Sequence, residues 1–136
     1  MNDLALFRRK LLRNPRQISA VAPSSRYLAA AMAEGLGPAT GRVVEFGPGT
    51  GRLTKGLLAA GVSPQNLSLF ELDREFVDHL RLAFPSVTVH HLGADRAAEV
   101  VEPGVGAVVS GLPLLSMPVP IREAIVNAAF DILALD

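Results

Sequence analysis

The chain has 136 residues, of which 49% are hydrophobic and 19% charged, so it is long enough for one domain and too apolar for a disordered polypeptide. It contains no cysteine, which excludes disulfides, thiolate metal sites and a cysteine nucleophile. No run reaches the roughly 18 apolar residues of a membrane-spanning helix. Charges at positions 8–10 also interrupt the apolar stretch that a signal peptide needs. We therefore expect a soluble, cytoplasmic, single-domain chain.

Positive charge is concentrated near the N-terminus. Residues 1–26 hold six basic residues and one acid, a net charge of +5, so residues 27–136 carry −5 although the whole chain is formally neutral. A basic arm on an acidic body indicates an anionic partner for the arm, either a membrane surface or nucleic acid.

The arm contains a predicted amphipathic helix over residues 2–13, in which Leu4, Phe7 and Leu11 share one face. Its basic residues are Arg8, Arg9, Lys10 and Arg13. Two interpretations stay open: a surface helix that packs on the body with its basic face in water, or an interfacial helix whose basic side chains bind anionic lipid.

Strands and helices alternate along the rest of the chain, after a second predicted helix over residues 26–34. The predicted strands are 42–46, 67–72, 87–91 and 105–110, and the predicted helices cover 52–60, 74–84 and 121–135. This alternation favours βαβ units in a parallel sheet with helices on both faces. The sequence therefore predicts an α/β fold with a Rossmann-like, doubly wound sheet. We expect one domain over 1–136, made of a helical arm (1–34) and a core (42–136).

A glycine loop, Gly47-Pro48-Gly49-Thr50-Gly51, follows the first predicted strand and opens a helix. Glycines at such a point allow a tight turn and close approach of the backbone to a ligand. Glu71 lies at the carboxyl end of the second predicted strand, 20 residues after Gly51, which is the spacing expected for an acid that accepts ribose hydroxyls. An acid, Glu45, stands two residues before the loop, where it suits an ammonium group better than a pyrophosphate. A nucleoside with an amino-acid tail, such as S-adenosyl-L-methionine, meets both requirements.

The segment Glu45–Gly51 followed by Glu71 resembles the first two cofactor motifs of class I S-adenosylmethionine-dependent methyltransferases. The resemblance implies that Gly47, Gly49 and Gly51 line the methionine and ribose part of the cofactor. It also places Glu45 near the amino group and Glu71 at the ribose. After the third strand this family often has Gly-Asp-Ala, whose Asp faces the adenine amine. This chain has Gly93-Ala94-Asp95, so the resemblance offers Asp95 for that contact with the acid displaced by one position.

A narrower resemblance joins two further segments, Ala20–Leu28 and Val109–Leu115, to bacterial phospholipid N-methyltransferases. These enzymes methylate phosphatidylethanolamine toward phosphatidylcholine and find the membrane with a basic N-terminal helix. The resemblance implies an enzyme associated peripherally with the inner membrane surface from the cytoplasm. It favours the interfacial interpretation of the arm, with an anionic membrane and a phospholipid as partners.

Methyl transfer to an amine mainly requires that the reactants be positioned and water excluded. Ser110 lies at the end of the fourth predicted strand, where ligands bind in open α/β sheets, and its hydroxyl is a candidate acceptor for the amine N–H groups. It is our candidate for both a catalytic and a cofactor-binding contact. Tyr27, the only tyrosine, is a second catalytic candidate, with simple packing as the alternative. No convincing general base emerges.

Two rival functions stay open. The first is an rRNA adenine N6-methyltransferase, which usually has an Asn or Asp near the end of the fourth strand and an aromatic side chain to stack the base; the segment 110–114 supplies neither. The second is a cofactor-binding or membrane-binding fragment that does not turn over, since class I methyltransferases carry seven strands and four are predicted here. A strand order of 3-2-1-4 would leave the fourth strand as an open edge, able to self-associate.

Overall fold

The computed structural model of the protein describes residues 35–134. The strands in these residues are β1 (Val43–Phe46), β2 (Leu67–Phe70), β3 (Thr88–His90) and β4 (Ala107–Ser110). The α-helices are α1 (Arg52–Ala59), α2 (Arg74–Ala83) and α3 (Val119–Ile132). Short 3₁₀ helices cover Pro38–Thr40, Pro64–Asn66, Ala94–Glu99 and Leu114–Ser116. The predicted helices over 2–13 and 26–34 lie outside the described residues.

The four strands form one parallel sheet in the order β3-β2-β1-β4. The predicted doubly wound α/β fold is confirmed, because both faces of this sheet are covered. Helices α1 and α2 bury one face around Val43, Leu57 and Leu80. The 3₁₀ helix 94–99 and α3 bury the other, which contains Phe46 and Ile125. Each layer thus removes one apolar face of the sheet from water.

One difference from the predicted elements concerns the fourth strand, which starts at Ala107 rather than at residue 105. The Val105 amide bonds to the carbonyl of Ile132, and Val105 forms an isolated bridge with Leu133. Residue 105 therefore joins the end of α3 instead of lengthening the pairing of β4 with β1. The same bridge ends α3 at Ile132, earlier than the predicted residue 135.

The other boundaries move by a few residues. Helix α3 begins at Val119, two residues before the predicted start, because Pro120 lies in its first turn, where a backbone N–H is not needed. The second strand ends at Phe70 rather than Leu72. The 3₁₀ helix Ala94–Glu99 was absent from the predicted elements. Within residues 35–134, no helix is both long and apolar enough to cross a membrane.

Candidate functional site

The candidate site lies at the carboxyl edge of the sheet, where the chain order reverses. Strand β1 has β2 on one side and β4 on the other, so the connections after β1 and β4 leave the sheet beside each other. In open α/β sheets this point forms a crevice that takes ligands. The glycine loop, Glu71 and the segment after β4 all lie at this edge.

Three glycines shape the loop between β1 and α1. Gly47, Gly49 and Gly51 have φ angles of 66°, 55° and 89°, in the left-handed region that side chains disfavour. Gly51 is also the N-cap of α1, so the first amides of that helix point toward the loop. The space beside Gly49 is open, because a Cβ there would meet nothing within 4 Å. The loop therefore presents bare backbone at an open point, as close approach of a ligand requires.

Glu71 follows directly after β2 and connects the loop to the second helix. Its Oε1 accepts a 3.1 Å hydrogen bond from the Gly49 amide, and its Oε2 accepts one of 2.9 Å from the Asp73 amide. Asp73 in turn caps α2 by accepting from the amides of Glu75 and Phe76. Burial raises the pKa of Glu71, while the two amide hydrogen bonds act against that rise. Each carboxylate oxygen keeps a second lone pair for a ligand hydroxyl.

Glu45 lies deeper, in the third position of β1, and is almost fully buried. Its Oε1 accepts a 2.6 Å hydrogen bond from the hydroxyl of Thr54 on α1. Its Oε2 is buried and has no hydrogen-bond partner in the described part of the chain. Burial raises the pKa of Glu45 from 4.5 to about 8; the Thr54 hydrogen bond opposes this and the charge of Glu71 adds to it. A buried carboxylate oxygen without a partner fits a site that receives a cationic group.

The segment after β4 packs directly on the glycine loop. The Gly111 amide donates a 2.8 Å hydrogen bond to the Phe46 carbonyl, and a Cβ on Gly111 would lie 2.9 Å from the Gly47 carbonyl oxygen. Ser110 Oγ accepts a 3.2 Å hydrogen bond from the Leu112 amide. Leu112 fills the space beside Gly47, where a Cβ would lie 2.5 Å from its Cδ2. Ser110 therefore stands beside the loop, with its hydroxyl proton still available to donate.

Asp95 lies at the start of the 3₁₀ helix Ala94–Glu99 and is exposed. Its carboxylate folds back beside Gly93, where an added Cβ would meet Asp95 Oδ1 and, at 3.7 Å, the side chain of Leu72. Asp95 thus lies near the residues that follow β2. Tyr27 and the basic residues of the arm lie outside the described residues.

No known protein-family model matches the chain. A curated relative, ribosomal RNA small subunit methyltransferase A of Marinomonas sp. (strain MWYL1), is 38% identical over 63 residues, which are 43% of this chain and 23% of the relative. The structure of the 23S rRNA methyltransferase ErmE is similar with 26% identity and a TM-score of 0.57, over 80% of this chain and 42% of ErmE. The glycopeptide N-methyltransferase MtfA, solved with S-adenosyl-L-methionine, is similar with 20% identity and a TM-score of 0.66, over 83% of this chain and 51% of MtfA. The chain has the class I methyltransferase fold.

This chain spans between 23% and 51% of the length of those three proteins. Within the class I methyltransferase fold, the structure brings together the loop glycines, Glu45, Glu71 and Ser110. Sequence reasoning missed two residues of this site. Thr54 gave a weak signal as a hydroxyl between the apolar residues Leu53 and Leu57 of α1. Gly111 gave none beyond its residue type, because its role depends on contact with a distant loop.

Proposed function

We propose that this chain is an S-adenosylmethionine-dependent methyltransferase domain. The observation that carries the proposal is the buried Glu45 carboxylate with one oxygen free of partners, next to the glycine loop that Glu71 holds. Glu45 can receive a cationic group, and Glu71 follows the loop at the spacing of an acid that binds ribose. Together they match a nucleoside with an amino-acid tail. The fold and the similarity to named methyltransferases support this proposal.

The residues present fit this cofactor. The backbone of Gly47, Gly49 and Gly51 would lie against its methionine and ribose part, Glu71 would accept the ribose hydroxyls, and Glu45 would receive the ammonium group. Asp95 is our candidate for the adenine amine. When bound, the cofactor supplies a methyl group already activated by the sulfonium charge, so the protein has to orient the acceptor and exclude water.

Ser110 is the candidate that would orient an acceptor amine. Its Oγ has a second lone pair beside the one used by the Leu112 amide, so it can accept an amine N–H. That contact would direct the nitrogen lone pair toward the glycine loop. The amine must arrive without its extra proton, which water can remove before binding. Tyr27 remains a candidate for a second contact.

For the acceptor we propose the amine of phosphatidylethanolamine, with an adenine of RNA as the second candidate. The named relatives favour RNA, since one is a small subunit rRNA methyltransferase and another a 23S rRNA methyltransferase. The segment after β4 favours the lipid amine. It reads Gly111-Leu112-Pro113-Leu114, without an amide or an aromatic side chain to hold an extruded base. The close approach of Gly111 to Gly47 also leaves no room for a side chain there.

The deciding experiment supplies radiolabelled S-adenosylmethionine together with phosphatidylethanolamine vesicles and ribosomal RNA, and then separates lipid from RNA. Label in the lipid fraction, lost in E71A, supports the phospholipid acceptor. Label in RNA supports the second candidate. If neither fraction is labelled but calorimetry detects cofactor binding, the chain is a cofactor-binding fragment that does not turn over. If the cofactor does not bind at millimolar concentration, the proposal is wrong.

We further propose that the arm brings the chain to an anionic membrane surface from the cytoplasm. Each basic residue near such a surface contributes about 1 kcal/mol, so Arg8, Arg9, Lys10 and Arg13 together can hold a small domain there. Co-sedimentation with vesicles tests this. We expect binding to anionic but not to neutral vesicles, and its loss when Arg9, Lys10 and Arg13 are changed to Glu. Equal pelleting of the triple variant would contradict the proposal.

A further inference from the structure

The hydrogen bond between Thr54 and Glu45 makes the two oxygens of the Glu45 carboxylate unequal. Oε1 accepts from Thr54 Oγ1 at 2.6 Å, whereas the buried Oε2 has no partner within residues 35–134. Thr54 is fully buried on α1, so water does not compete with Glu45 for its hydroxyl. The pair therefore fixes which oxygen is satisfied by the protein and which is left for a ligand.

The surroundings of Glu45 show why a single hydroxyl matters. The residues paired with it on the neighbouring strands are Leu69 of β2 and Val109 of β4, both apolar. Burial disfavours a negative charge on Glu45, and so does the charge of Glu71, which follows β2. The Thr54 hydrogen bond acts in the opposite direction and lowers the pKa of Glu45. Among these influences, Thr54 is the one that favours the ionised carboxylate.

We propose that Thr54 is a positioning residue of the cofactor site, which holds one oxygen of Glu45 and leaves the other for the ammonium group of S-adenosylmethionine. This inference rests on the proposed function. An ammonium group beside Oε2 favours the carboxylate form of Glu45, so binding near neutral pH releases the Glu45 proton to solvent. Binding of a ligand with the amino-acid tail is then coupled to pH through Glu45, and binding of the nucleoside part alone is not coupled to Glu45.

The test compares two ligands by calorimetry: S-adenosylhomocysteine, which carries the ammonium group, and 5′-methylthioadenosine, which lacks the amino-acid tail. T54V removes the hydroxyl and keeps the shape of the side chain, T54S keeps the hydroxyl, and T88V changes an exposed threonine of β3 as the matched control. We expect T54V to weaken S-adenosylhomocysteine binding roughly tenfold or more, the cost of a lost hydrogen bond to a charged group. Methylthioadenosine binding should change little, T54S should restore the affinity, and T88V should match the wild type.

The pH dependence separates positioning from a loss of structure. Wild-type affinity for S-adenosylhomocysteine should rise between pH 6 and 8, as Glu45 loses its proton more easily. In T54V the rise should move to higher pH, because the contribution that lowers the pKa of Glu45 is gone. Any pH dependence that Glu71 gives to ribose binding is common to both ligands, so the pH dependence of methylthioadenosine binding should be the same in T54V and in the wild type.

Two outcomes distinguish the inference from the function on which it rests. If the wild type binds S-adenosylhomocysteine and T54V binds it equally well with the same pH dependence, the inference is overturned and the proposed function stands. If the wild type binds neither ligand, the proposed function itself is overturned. If circular dichroism shows that T54V does not fold, the same titrations are made with T54A and T54S at lower temperature and judged by the same criteria.

Discussion

The Gly49 amide donates a 3.1 Å hydrogen bond to Glu71 Oε1, which ties the glycine loop after β1 to the end of β2. The other oxygen of the same carboxylate accepts from the Asp73 amide at the entrance to α2. One side chain therefore joins two connections that are separate in sequence. The acid expected to bind ribose also holds the loop that would bind the rest of the cofactor.

Replacing Glu71 should therefore lower both stability and affinity. E71A leaves the amides of Gly49 and Asp73 without their acceptor, and we expect the free energy of unfolding to fall by about 2–4 kcal/mol. E71Q keeps one acceptor oxygen and should lose less. Urea unfolding measures the stability and calorimetry with S-adenosylhomocysteine the affinity, which should drop in both variants.

D73A is the matched control for the Glu71 variants. It removes the N-cap of α2, whose Oδ1 accepts from Glu75 and Phe76, and should cost about 1 kcal/mol of stability. The backbone amide of residue 73 remains, so the acceptor role of Glu71 persists and ligand affinity should stay near the wild type. An E71Q protein as stable as the wild type, with the same affinity, would contradict the double role of Glu71.

The buried Glu45 should make the free protein less stable as the pH rises. Its pKa is raised from 4.5 to about 8 by burial, so its protonated form is the one that suits the fold. The associated stability is fully present below about pH 4.5 and is lost as the pH rises through about 8, a loss on the order of 3–5 kcal/mol. E45Q stays neutral, so it should match the wild type near pH 5 and exceed its stability by a few kcal/mol near pH 8.5.

Urea unfolding at pH 5, 6.5 and 8.5 measures this difference between E45Q and the wild type. The raised pKa of Glu71 contributes with the same sign in both proteins, so only its interaction with the charge of Glu45, which E45Q removes, enters the comparison. E123Q removes an exposed carboxylate on α3 and serves as the control for the change in net charge. A constant difference between E45Q and the wild type across the three pH values would rule out a buried, titrating Glu45.

Much of this architecture was predictable because it depends on local pattern. Apolar runs separated by glycine and proline gave the four strands, and the parallel order followed from the helices between them. The spacing in sequence between Gly51 and Glu71 predicted the two parts of the site, which are the glycine loop and the acid after β2. The hydrogen bond from Thr54 to Glu45 and the packing of Gly111 on Gly47 were not predictable, since each depends on how two connections meet in space. The start of β4 was wrong for the same reason, because the partner of Val105 is Leu133, far along the chain.

Gly111 should be intolerant of a side chain because of its position beside the glycine loop. Its φ angle is not positive, so alanine fits its backbone conformation. The added Cβ would lie 2.9 Å from the Gly47 carbonyl oxygen, and the loop would have to move. We expect G111A to lose about 1–3 kcal/mol of stability and to bind S-adenosylhomocysteine more weakly.

G41A is a control that separates loop displacement from general destabilisation. Gly41 has a φ of 80° and open space around it, so alanine there adds backbone strain of about 1–2 kcal/mol without a clash. Its affinity should stay near the wild-type value, as measured in the same calorimetric titration. If G41A and G111A weakened binding equally, the loss would come from reduced stability and not from the loop.

The open edge of β4 should make the chain associate with itself at high concentration. In the described residues β4 pairs with β1 alone, so the amides that point away from β1 have no strand partner there. The Gly111 amide bonds to the Phe46 carbonyl of the strand beside it. Since amide directions alternate along a strand, the Val109 amide also faces β1 and the Val108 amide faces the open edge. V108P removes that donor. Light scattering coupled to gel filtration should show oligomers for the wild type and a shift to monomer for V108P.

A competing explanation for association is the outer face of α3, where Phe130 is 68% exposed. F130K puts a charge on that face and leaves the edge of β4 intact, so the edge explanation expects F130K to associate as the wild type does. Loss of oligomers in F130K but not in V108P would show that the contact is made by α3 and not by β4. Thermal unfolding of both variants is needed beside the light scattering, because a partly unfolded V108P would aggregate by exposing its core and not through its edge.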